Sequence, residues 1–131
     1  MQTTDRTQTT QTLPIPAIAQ YFATMNAQDY AQTAALFASD GILHPPFESD
    51  IIGPEAIAQY LQAEATGMQL QPRQIEEQGD RAYQVTGKVK TSLFTVNVTW
   101  SFVLNPDRQI ASVIVKLIAS PQELLKLRSR A

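Results

Sequence analysis

Thr95-Val96-Asn97-Val98-Thr99-Trp100-Ser101-Phe102 sets an apolar side chain at every second position from Val96 to Phe102. That is the period of a strand with one face on a core and the other in solvent. The same alternation precedes it, where Val85, Gly87, Val89 and Thr91 take turns with polar neighbours. Asn105-Pro106-Asp107-Arg108 reads as a hairpin turn. It returns the chain into Ile110 to Ala119, where apolar residues of both parities predict a strand covered on both faces. The second half of the chain is therefore expected to be a sheet.

Upstream of that sheet the period changes. Gly53-Pro54-Glu55 opens a helix with Ile57, Tyr60, Leu61 and Ala65 on its buried stripe, closing near Gly67. Leu13-Pro14-Ile15-Pro16 leads into an earlier helix on which Ile15, Ile18, Phe22 and Met25 recur at helical spacing, with Pro16 in the first turn. Between the two, a short helix is expected from about Asp29 to Phe37. Asp40-Gly41 is expected to make a turn, and Ile42 to Phe47, interrupted by Pro45-Pro46, to form an edge or loop. At the far end, Ser120-Pro121-Gln122-Glu123 supplies a cap, a first-turn proline and a glutamate for a terminal helix carrying Leu124, Leu125 and Leu127, with Lys126, Arg128 and Arg130 near its end. Residues 1–12 are almost all Gln and Thr and are expected to be a disordered tail, leaving residues 13–131 as one domain. Helices first and strands afterwards give an α+β class, with helices on one face of a curved, mainly antiparallel sheet. Such a sheet makes a cone with an apolar mouth.

Composition narrows the chemistry. A chain of 131 residues that is 44% hydrophobic and 17% charged, with net charge -2, is a folded domain without the basic excess of a nucleic-acid binder. No apolar run reaches the roughly 20 residues a membrane span needs, and no export signal opens the chain, so a soluble, cytoplasmic protein is expected. The absence of cysteine excludes disulfides, zinc-thiolate sites and thiol catalysis, and the single histidine, His44, leaves any metal site dependent on carboxylates. No metal site is expected.

Several stretches fall in the order and nearly the spacing of a known family. They are Tyr21 with Met25-Asn26-Ala27, Leu36-Phe37-Ala38-Ser39-Asp40-Gly41, His44-Pro45-Pro46-Phe47 and Ile52-Gly53. Further along come Leu70-Gln71-Pro72, Val85-Thr86-Gly87-Lys88-Val89, Trp100 to Pro106 and Ala119 to Leu125. Together they resemble the C-terminal domain of the cyanobacterial orange carotenoid protein family, over roughly Leu13 to Arg128. The resemblance implies the nuclear transport factor 2-like cone, a fold also used by ketosteroid isomerase. It implies a ketocarotenoid of the canthaxanthin or echinenone type, held by one end ring whose carbonyl accepts hydrogen bonds from a tyrosine and a tryptophan. The matching positions are Tyr21 and Trp100. Met25, Ile52, Met68, Leu70, Phe94, Val98, Val115 and Leu117 match the apolar lining.

Read without the resemblance, a tyrosine on a helix stripe and a lone tryptophan on an alternating strand are core residues by default, and each apolar position serves a core equally well. The chain also departs from the family. Ser92-Leu93-Phe94-Thr95 replaces a longer Pro-Trp-Phe segment, so that Leu93 stands where the family has a large aromatic at the mouth, and Lys116 replaces an aspartate.

The resemblance also bears on partners. The full-length family members have a helical N-terminal domain that grips the other half of the pigment. A domain of this length is only about 36 Å across, so a bound polyene would protrude. A homodimer sharing one carotenoid between facing cavities would cover it. Delivery to helical carotenoid proteins resembling that N-terminal domain, transient membrane contact through Arg128 and Arg130, and singlet-oxygen quenching by the pigment are further expectations. Catalysis is not expected.

Two other classes remain open at this point. A ketosteroid-isomerase-like enzyme would use the same donors as an oxyanion hole, but needs a base. Asp29, Asp40, Asp50, Glu55, Glu64, Glu76, Glu77, Asp80 and Asp107 fall mostly at helix starts, turns and strand ends, and His44 lies beside two prolines. A ligand-free, dimeric interaction module would use Ile114 and Ile118, which face away from Val115 and Leu117.

Overall fold

The structure, a computed structural model, describes residues 15–118. The chain runs α1 (Pro16–Asn26), α2 (Tyr30–Ala35), β1 (Phe37–His44), β2 (Ile51–Ile52), α3 (Pro54–Glu64), β3 (Gln69–Gly79), β4 (Ala82–Lys90), β5 (Thr95–Leu104) and β6 (Ile110–Ile118). The strands form one sheet in the order β2-β1-β6-β5-β4-β3. Only β1 against β6 is parallel; the other neighbours are antiparallel. Three helices on a mainly antiparallel, six-stranded sheet give the α+β, nuclear transport factor 2-like cone. The expected tail at residues 1–12 and the terminal helix after Ala119 lie outside the described residues.

Local chemistry explains the helices. Pro16 and Pro54 occupy first-turn positions, where a missing N–H costs nothing. Gly53 precedes Pro54 at φ 91, a conformation that other residues rarely adopt. The Asp29 carboxylate accepts from Gln32 N and caps α2. α1 turns Ile18, Tyr21, Phe22 and Met25 to the core, and α3 turns in Ile57 and Leu61. Opposite them stand Val98, Trp100 and Phe102 of β5, with Val85 of β4 and Val113 of β6, all buried. Phe22 meets Trp100 edge-on at 4.8 Å, and Tyr21 meets Phe102 edge-on at 5.2 Å. Each fully buried large apolar side chain contributes about 1.5–3 kcal/mol.

Four expectations from the sequence are corrected. The second helix ends at Ala35 rather than Phe37, because Phe37 already begins a strand. Asp40-Gly41 is not a turn between elements but an irregularity inside β1, where Phe37 pairs with Ile110 while Ile42 pairs with Ser112. A Cβ on Gly41 would come within 2.9 Å of both Ile110 O and Phe37 Cβ, so the distortion requires glycine. His44 ends this second strand of the sheet rather than sitting in a loop. The expected double coverage of β6 holds for neither Leu117 nor Ile118, which are 45% and 41% exposed.

Candidate ligand-binding site

A cavity of about 300 Å³ lies between α1, α3 and the concave face of the sheet. The register builds its walls in rows. Val85, Trp100 and Val115 stand side by side across β4, β5 and β6, and Gly87, Val98 and Leu117 form the next row. Val89 faces Val96, and Leu70 faces Val89 from β3. Gly87 lets β3 close over β4, because a Cβ there would meet the Gln71 carbonyl oxygen and lie 2.8 Å from Pro72 Cα. The sheet thereby curls, and its second half becomes one side of a cup.

Nine of the ten residues nominated from the sequence line this cavity: Tyr21, Met25, Met68, Leu70, Phe94, Val98, Trp100, Val115 and Leu117. Ile52 does not. It sits on the two-residue edge strand β2, paired with Ile42 and 61% exposed, while Ile51 packs towards the core. Strand alternation admits only one of the two neighbours to the interior, and it is Ile51.

The two polar groups deepest in this apolar surface are the Tyr21 phenol and the Trp100 indole, 2% and 1% exposed. Among the described residues neither has a hydrogen-bond partner for its side-chain donor, although buried donors are nearly always paired. Burial, and secondly the nearby Tyr60, push the Tyr21 phenol well above its ordinary range, so it stays protonated. The inner cavity thus offers neutral donors in a dry wall, an arrangement suited to a carbonyl oxygen carried by an apolar body.

Towards solvent the chemistry changes. Tyr60, Glu64 and Glu48 also line the cavity, the last from the β1–β2 loop beside Pro45 and Pro46. Burial, then Glu48 and Glu64, raise the Tyr60 phenol above its ordinary value. Both carboxylates are exposed. Glu64 is among the acids expected from the sequence to be solvated, and no sequence pattern marks Glu48. The spacing of Tyr60, Leu61, Glu64 and Ala65 marks one helical face and is the available signal for these four further lining residues. His44 lies outside the cavity lining and is paired through Nδ1 with Asp50 Oδ1. Among the described residues no cluster of three metal-ligating side chains occurs, and no helix is long and apolar enough to cross a membrane.

The β4–β5 loop, where the chain departs from the family, is held by Thr91. Its hydroxyl donates to Phe94 O at 3.0 Å and accepts from Leu93 N and Phe94 N at 3.2 and 3.1 Å. This knot brings Phe94 to the cavity edge and leaves Leu93 84% exposed. Phe47, on the β1–β2 loop, is 91% exposed at φ 64. Exposed apolar side chains therefore adjoin lining residues on both loops, Phe47 between Pro46 and Glu48 and Leu93 beside Phe94.

Residues 18–113 match the family model of the SnoaL-like domain, and the chain belongs to that family. Within it, the chain is similar to the orange carotenoid-binding protein of Limnospira maxima, at 38% identity over 84% of this chain and 37% of that protein. The orange carotenoid-binding protein of Synechocystis sp. is 37% identical over 82% of this chain. The chain thus spans little more than a third of the length of these curated relatives. The solved Anabaena (Nostoc) orange carotenoid protein binding canthaxanthin superposes with a TM-score of 0.74 at 36% identity, covering 87% of this chain and 39% of that one. A putative polyketide cyclase from Sinorhizobium meliloti shares the fold, with a TM-score of 0.69 at 23% identity, covering 81% of this chain and 97% of that one.

Proposed function

We propose that this chain is a carrier that binds a ketocarotenoid of the canthaxanthin or echinenone type by one end ring. The observation that carries the reading is the pair of buried donors, Tyr21 and Trp100, without partners among the described residues and set in an otherwise apolar inner cavity. The Tyr21 hydroxyl and Trp100 N–H donate to the ring carbonyl, orienting the ring and tuning its colour. Val98, Val115, Leu70 and Met25 exclude water around it. When bound, the pigment supplies singlet-oxygen quenching and hence photoprotection. Similarity to a protein solved with canthaxanthin supports this choice of ligand.

A cavity of about 300 Å³ accommodates an end group and leaves the polyene to emerge at the mouth. Phe47, Leu93, Phe94 and Leu117, all exposed there, suit a second apolar surface. The carrier is accordingly a homodimer with two mouths facing one shared pigment, and it passes that pigment to helical carotenoid-binding partners. Catalysis is not part of this reading, since Glu48 and Glu64, the carboxylates lining the cavity, are solvent-exposed and lack the dry environment of a buried base.

The test is to mix purified protein with canthaxanthin and follow visible absorption and elution volume, alongside Tyr21→Phe and Trp100→Phe. A red-shifted pigment eluting with a dimer, perturbed in both variants, is expected. Failure to take up pigment under conditions that load an orange carotenoid protein sinks the carrier reading, and a monomer with wholly protected pigment sinks the shared-ligand arrangement.

A further inference from the structure

Asn26 is the last residue of α1 and follows Met25, which lines the cavity, yet its own side chain reaches another element. Its Nδ2 donates to Leu70 O at 2.9 Å, and its Oδ1 accepts from Leu70 N at 2.7 Å. One primary amide thus satisfies both main-chain groups of a residue 44 positions away, as a neighbouring strand would. It can do so because β3 is the outer strand of the sheet and every second residue there turns its N–H and C=O away from β4.

Two further bonds leave the same α1–α2 corner. The Tyr30 hydroxyl donates to Ala65 O at 3.0 Å, and Gly67 N donates to Gln28 Oε1 at 3.1 Å. All three partners, Ala65, Gly67 and Leu70, lie from the end of α3 to the first residues of β3, the stretch whose Ala65, Met68 and Leu70 form one wall of the cavity. Apolar contact alone leaves such a wall free to slide, because dispersion has little directional preference. Paired hydrogen bonds fix both distance and register.

We propose that Asn26 is the positioning residue of the cavity: its amide clamps Leu70 and thereby sets the spacing between the α1 side and the α3–β3 wall that grips the pigment. The proposal rests on the carotenoid-binding reading. Asn is required because the site needs one donor and one acceptor on a single planar group. An ionised aspartate matches its shape but presents two acceptors, one of them facing Leu70 O.

The experiment uses the full chain with Asn26→Asp and Asn26→Ala. In the empty protein, Leu70 amide exchange measured by NMR is expected to speed up about tenfold in Asn26→Ala, the scale set by two lost neutral hydrogen bonds, with the β5 amides unchanged. In protein loaded with canthaxanthin, Asn26→Asp at pH 7.5 is expected to broaden the visible band and release pigment to phosphatidylcholine vesicles about tenfold faster. Acidification that protonates the new carboxyl restores a donor, and the wild-type band returns, with wild type at the same pH as reference. A wild-type band and release rate in Asn26→Asp at pH 7.5, or unchanged Leu70 exchange in Asn26→Ala, overturns the clamp. Wild-type protein that takes up no canthaxanthin fails the carrier reading instead, and Leu70 exchange then decides the clamp alone.

Discussion

Replacing Tyr21 by phenylalanine separates a structural tyrosine from a ligand-binding one by the sign of the effect. The ring is 2% exposed and meets Phe22 and Phe102 edge-on, both at 5.2 Å between centroids, and none of that packing needs the hydroxyl. The hydroxyl itself is buried without a partner among the described residues, a situation that costs about 1–3 kcal/mol. Its removal from the empty protein is therefore neutral or stabilising by about 1 kcal/mol, which raises the melting temperature by roughly 4 °C for a domain of this size. On the carrier reading the same hydroxyl donates to the pigment carbonyl in the loaded protein, and its loss costs about 0.5–1.5 kcal/mol, or roughly twofold to twelvefold in affinity. Ligand stabilises the native state by mass action, so melts with and without canthaxanthin read both quantities. The expected pattern is a variant at least as stable as wild type when empty and less stabilised by pigment. A Tyr21→Phe protein that loses more than 1 kcal/mol when empty, or binds canthaxanthin as wild type does, refutes the argument.

Two other outcomes follow from the packing and the phenols. Gly87→Ala places a methyl against the Gln71 carbonyl and 2.8 Å from Pro72 Cα, both backbone atoms that cannot step aside, so denaturant melts should show a loss of about 2–4 kcal/mol; a loss under 1 kcal/mol would show that β3 does not close there. The Tyr21 and Tyr60 phenols are raised above the ordinary value of 10.0 in the folded state, so the unfolded chain releases these protons first. Their contribution is complete below about pH 10 and is lost as pH rises beyond it. The urea midpoint should fall between pH 9.5 and 11, less steeply in Tyr21→Phe; a flat midpoint counts against the burial of both phenols.

The parts of this fold that could be read in advance are those where burial is periodic. β4 alternates from Val85 to Val89, and β5 sets its large apolar side chains Val98, Trp100 and Phe102 at every second position towards the cup, although Thr99 between them is buried as well; α1 and α3 repeat at helical spacing because one face of each meets the core. β3 gave no such signal. Gln69 to Gly79 carries only Leu70 and Ile75 as sizeable apolar side chains, because an outer strand buries little, and Pro72 within it is tolerated at a register shift. β1 was concealed by Asp40-Gly41, which has turn chemistry but here serves a distortion inside a strand. What decides between those uses is the proximity of Ile110 O, and no local pattern encodes a contact 69 positions away.

The site shows the same division. Resemblance nominates Tyr21, Trp100 and seven others of the residues found around the cavity, while alternation explains why Trp100, Val98 and Val96 share a face without saying what that face opens onto. The outer half arises from pieces distant in sequence: Glu48 from one loop, Glu64 and Tyr60 from a helix, Phe94 from a loop tied by Thr91. Position matching failed at Ile52, since β2 is two residues long and one step in register exchanges the inward side chain for the outward one. The inner cavity and its mouth are also under different physical constraints. Inside, the Tyr21 and Trp100 side chains that carry the donors are packed edge-on into one aromatic cluster with Phe22 and Phe102, so replacing either ring disturbs the core as well as the cavity. At the mouth, Phe47 and Leu93 touch little of their own chain, so their substitution alters what the mouth meets at almost no cost to folding. On the carrier reading, ring recognition is therefore tied to stability, whereas choice of the partner at the mouth is free to vary independently of it.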